Sequence, residues 1–114
     1  MNTSIIHIPQ PVDPVAYVLE KVPSLNDAID SFFFASPLSF FFQAGSAVCE
    51  AKLGNNDVKR LYEAINELAA MDHSSLDDAV AEFLEAVSEN AEGLSFAKQQ
   101  LRGRALELLP PLLD

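Results

Sequence analysis

Between Leu61 and Ala97 the chain carries no Lys or Arg. The same stretch holds nine carboxylates: Glu63, Glu67, Asp72, Asp77, Asp78, Glu82, Glu85, Glu89 and Glu92. A run of one sign repels phosphate backbones and anionic lipid, and it favours a basic partner or the role of an anion mimic. Cysteine is nearly absent. Cys49 is the only one, so no disulfide can form within the chain. It lies in an apolar run, which predicts a buried, inert thiol and a reducing, cytoplasmic setting.

Catalytic groups are equally sparse. The two histidines are His7, on a proline-rich arm, and His73, in a connector. No Cys-x-x-Cys, His-Glu-x-x-His or Glu-x-x-His spacing is present to bind zinc or a di-iron pair, and no glycine-rich loop offers a phosphate cradle. Asp72, His73 and Ser74 are adjacent and therefore point in different directions, whereas triad members meet through the fold. A turn with capping duties is expected there. The stretch from Asp72 fails as a calcium loop because Asp77 occupies the position that needs Gly. The expectation is a non-enzymatic protein with no metal and no cofactor.

What is present points to a folded helical domain. In 114 residues, 49% are hydrophobic and 21% charged, and eight Phe supply bulk for one core. The net charge of −10 argues against direct binding to DNA or RNA, which draws its affinity from Lys and Arg on phosphates. Met1 to Ile8 has no basic leader of the secretory kind, so no export is expected. Nineteen uncharged residues lie between Asp30 and Glu50, close to the ~20 needed to span a bilayer. Five Ser and Gln side chains dilute that run, Pro37 interrupts it, and acidic residues flank it. A pair of buried helices is expected in place of a membrane span.

Punctuation along the chain gives an all-α domain, a single bundle of five or six helices over residues 14–109, with an extended Pro-rich arm (1–13) and a short tail (110–114). Pro9, Pro11 and Pro14 stiffen the arm, and Ile5, Ile6 and Ile8 make it adhesive. It packs along its own bundle or reaches a second subunit, and a two-fold homodimer is therefore an expected partner state. Pro14 starts a helix that Pro23 stops. Ser24, with Asp27, caps a second through Phe34, and Ser36–Pro37 starts a third that runs to Leu53, with Gly54 at its C-terminus. The two Phe triplets, 32–34 and 40–42, then fall on consecutive helices surrounded on most sides. Asn56 caps a fourth helix to about Met71, whose Val58, Leu61, Tyr62, Ile65, Leu68 and Ala69 follow the helical repeat. Ser75 caps a fifth to about Glu89, and a last helix runs from about Leu94 to Leu109, weakened at Gly103.

One constellation remains. Asp78, Glu82, Glu85 and Glu89 recur at intervals of four, three and four, which places them on one stripe opposite Leu76, Val80, Phe83 and Val87. Their rise of roughly 4.5 to 6 Å per step is near the phosphate spacing of a nucleic-acid strand, and it is equally what a solvated helix face shows. Lys98, Arg102 and Arg104 on the last helix are the charge complement, expected to pair with the acidic helix within one subunit. The sequence thus favours an adaptor, chaperone-like or inhibitory subunit that meets a basic protein surface, with neither direct nucleic-acid binding nor a membrane. The alternative is a nucleic-acid mimic that blocks a DNA- or RNA-binding protein.

Overall fold

Among the described residues, four of the seven α-helices start on a side chain that accepts from a free backbone amide. The computed structural model describes residues 12–109, so the Ile5, Ile6 and Ile8 arm and the 110–114 tail lie outside the described residues. Among the described residues the chain is all-helical, with seven α-helices and no strand, where five or six helices were expected. α1 (Pro14–Lys21) opens on Asp13, whose carboxylate accepts from the Val15 amide at 3.1 Å, with Pro14 at the first helical position. The helix expected over 24–34 is instead α2 (Leu25–Ala28) followed by a 3₁₀ turn (Ser31–Ala35). Ser24 does not cap α2. Its hydroxyl donates to the Asp57 carboxylate at 2.7 Å, while Ile29 turns extended to bury its side chain and Asp30 caps the Phe32 amide at 2.9 Å.

α3 (Pro37–Cys49) starts as its sequence implies, with Ser36 Oγ accepting from the Ser39 amide at 3.4 Å. It ends four residues early. The Lys52 amide donates to the Ala47 carbonyl at 2.9 Å and the Ala51 amide to the Val48 carbonyl at 3.2 Å, with Ala51 at φ 58°. This is the Schellman arrangement, in which the left-handed position is filled by Ala and not by Gly54. Gly54 is extended and precedes α4 (Asn55–Ala70), so Asn56 lies inside that helix and is not its cap. α5 (Ser74–Val87) is capped by His73, whose Nδ1 accepts from the Ser75 amide at 3.3 Å; Ser75 is not the cap. The expected last helix is two. α6 (Ala91–Gln100), capped by Asn90, and α7 (Gly103–Leu108) are separated by extended Leu101 and Arg102, and Gly103 sits at φ 58°.

The core forms where the inner faces of α3, α4 and α5 meet. Phe40, Phe41, Leu61, Tyr62, Ile65, Leu68, Phe83 and Leu84 are fully buried there. α3 and α5 make the closest approach: a Cβ placed on Gly45 would fall 2.6 Å from the Ala86 Cβ and 2.8 Å from the Phe83 carbonyl oxygen, so that contact requires Gly. α1 and α7 pack on α4. No helix among the described residues is long and apolar enough to cross a membrane. The first Phe triplet departs from expectation: Phe32 is 80% exposed and Phe33 and Phe34 are half-buried, because the 3₁₀ turn lies at the edge of α3 and not inside the core.

Candidate functional site

α5 sorts its residues by the helical repeat. Leu76, Ala79, Val80, Phe83, Leu84, Ala86 and Val87 are buried, and the opposite side carries the stripe. Asp78, Glu85 and Glu89 are exposed and Glu82 is half-buried. None of the four carboxylates makes a hydrogen bond or ion pair among the described residues. The stripe is not uniform. Glu89 lies beyond the end of α5 at Val87 and its Ser88 C-cap, close enough to Cys49 to bear on its thiol, so the regular spacing holds only for the first three.

The structure brings two of these carboxylates to an apolar feature that the sequence did not connect with them. Glu82 and Glu85 line one bank of a shallow groove of about 370 Å³, and Phe33, Leu38 and Phe42 line the other. Leu38 is 45% exposed, and Phe32 stands beside the groove with its ring edge-on to Phe33 at 5.3 Å. The only local signal for this exposure is Asp30, which caps the Phe32 amide and starts a turn too short to bury three consecutive aromatic rings. The close α3 to α5 packing at Gly45 then sets the carboxylates beside the rings.

The cations of the last two helices divide between neighbours. Arg104 grips Asp77 of α5 with two bonds, Nη1 to Oδ1 at 2.5 Å and Nη2 to Oδ2 at 2.8 Å, and reaches Asp72 at 3.0 Å. Those bonds hold the Asp77 carboxyl below its ordinary range. Arg102 pairs with Glu63 of α4 and not with α5; its guanidinium bonds lower the Glu63 carboxyl in the same way. Lys98 makes no ion pair among the described residues. The expected intramolecular pairing with the acidic helix therefore holds at Asp77 alone, a residue outside the stripe.

Cys49 corrects another expectation. It is exposed at the end of α3, where its thiol donates weakly to the Ala86 carbonyl at 3.7 Å. Partial burial, followed by Glu89 and Glu50, pushes its pKa up, which disfavours the nucleophilic thiolate. His73 serves as a cap, its Nδ1 also 3.0 Å from Ser75 Oγ, and Asp72 turns to Arg104, so these neighbours do not assemble a triad. No cluster of three or more His, Cys, Asp or Glu among the described residues is placed to hold a metal ion. Comparisons with protein-family models, with curated proteins and with solved structures find no match for this chain.

Proposed function

We propose that this chain is a non-enzymatic interaction protein of the cytoplasm, built as one helical bundle, that receives a basic amphipathic segment of a protein partner in the groove between the 3₁₀ turn, α3 and α5. The observation that carries this reading is the adjacency of Phe33, Leu38 and Phe42 to Glu82 and Glu85, with the exposed Phe32 ring packed against Phe33. An exposed apolar patch rimmed by charge is the usual signature of a docking surface. Carboxylates that no Lys or Arg of the described chain neutralises would accept the partner's cations, and the apolar bank would take its Leu, Ile or Phe anchors. The flanking rings favour a protein partner over the nucleic-acid-mimic alternative, because a row of phosphates has no apolar part for an exposed Phe to imitate.

Affinity capture from cell extract tests the reading with three baits: the wild-type protein, the charge reversal of Asp78, Glu82, Glu85 and Glu89 to Lys, and the apolar variant F32S/L38S. The expected result is one protein captured by the wild type and lost by both variants, with affinity falling as salt rises. A partner bound equally by all three baits overturns it. Release of the partner by its own DNA or RNA assigns the mimic role instead. Sedimentation equilibrium separates a partner protein from a second copy of the chain on the same face.

A further inference from the structure

We infer that a second, separate site lies at the opposite end of the α3 to α5 contact: a cavity between the C-terminus of α3, the first turns of α4 and the start of α6, which takes a small, uncharged, mostly apolar molecule bearing a carbonyl acceptor. The cavity measures about 400 Å³, within the range usual for small-molecule pockets. Val48, Leu53, Val58, Val87 and Phe96 supply its apolar wall. Tyr62 and Val87, at 1% and 0% exposure, form its deep end, and Phe96, 38% exposed, stands at the mouth with its ring edge-on to Tyr62 at 5.7 Å.

Two observations independent of the cavity's shape specify the ligand. The Tyr62 hydroxyl is buried and has no hydrogen-bond partner among the described residues, although a buried phenol normally finds one. Cys49, also of the wall, lies close enough that a thiolate there would raise the Tyr62 pKa further. The hydroxyl stays protonated at any physiological pH, since burial above all raises its pKa, so it remains a hydrogen-bond donor. Among the described residues the wall contains no Lys, Arg or His, and Glu92 stands in it. A carboxylate or phosphate ligand would thus meet like charge with no counterion, whereas a ketone, ester or amide oxygen would satisfy the one orphan donor. Neither Phe33 nor Leu38 lines this cavity, so the inference stands whether or not the groove proposal holds.

Three probes of one size test it by NMR titration: acetophenone, ethylbenzene, which lacks the carbonyl, and benzoate, which carries charge. The proposal expects shifts at the methyls of Val48, Val58 and Val87. It expects acetophenone to bind roughly five- to tenfold more tightly than ethylbenzene, the scale of one otherwise unmade hydrogen bond, and benzoate to bind more weakly than either. In Y62F, which keeps the ring between Phe83 and Phe96, the acetophenone preference should fall to about one. V58F, checked for folding by circular dichroism, should block acetophenone. Shifts absent from those methyls, a preference unchanged in Y62F, or benzoate binding as well as acetophenone would each overturn the proposal.

Discussion

The Arg102 backbone amide donates to Asn66 Oδ1 at 3.0 Å, across a sequence separation of thirty-six residues. Asn66 is the one buried polar residue of the described chain, at 7% exposure, and its Nδ2 donates in turn to the Gln100 carbonyl at 3.2 Å. A single amide side chain on α4 therefore supplies both partners that the backbone loses where α6 stops and α7 has not begun. Leu101 and Ala105, one on each side of the break, are both buried in the core.

Asn66→Ala should consequently cost about 1–3 kcal/mol, because it removes two part-buried hydrogen bonds worth about 0.5–1.5 kcal/mol each. Urea unfolding would measure the loss, and hydrogen exchange should show the Arg102 amide losing protection ahead of the α4 core. Asn66→Asp should be no milder at neutral pH, since the second oxygen would then oppose the Gln100 carbonyl.

Ala51 offers the opposite outcome. It holds the left-handed position of the Schellman turn after α3 at φ 58°, where its Cβ is strained and Gly is at ease. Ala51→Gly should stabilise the protein by about 0.5–1 kcal/mol, the relief of strain exceeding the extra chain entropy of Gly. Thermal unfolding would register it as a higher Tm, and an unchanged or lower Tm would show that the turn is held by something other than this residue's conformation.

These residues also mark where the sequence was legible and where it was not. The all-helical class, the start of α1 at Pro14, the Ser36–Pro37 start of α3 and the buried stripe of α4 all follow from local periodicity and local punctuation, and the structure repeats them. The break at Leu101 and Arg102 depends on Asn66, a distant partner that no local pattern announces. Gly54 looked like the α3 terminator because Gly tolerates positive φ, yet the turn closes three residues earlier, where backbone bonds from Ala51 and Lys52 are satisfied. Asp78, Glu82, Glu85 and Glu89 were visible as a stripe, but that Glu82 and Glu85 border Phe33 and Leu38 depends on how α3 crosses α5. A triplet of Phe suggests a core position for Phe32, yet a 3₁₀ turn at the edge of α3 leaves it outside.

The Arg104 to Asp77 bond predicts the acid limb of the stability curve. Hydrogen bonds from the guanidinium lower the folded pKa of Asp77 relative to an unfolded carboxylate, which titrates near 3.9. A depressed folded pKa means that the unfolded state binds the proton first, so the contribution is fully present above about pH 5 and is lost as pH falls through the folded value. Stability should therefore decline from pH 5 toward pH 2. In Asp77→Asn, which keeps the side-chain shape and removes the titration, the protein should be less stable at pH 7 yet lose less on acidification, so that the two proteins converge near pH 2. Arg104→Met should behave similarly, with a further loss at all pH values because Nη1 also donates to the Ala69 carbonyl at 3.0 Å. Urea midpoints at pH 7, 4 and 2.5 check the sign. Parallel acid limbs for wild type and Asp77→Asn would show that other carboxylates, and not this pair, govern the acid transition.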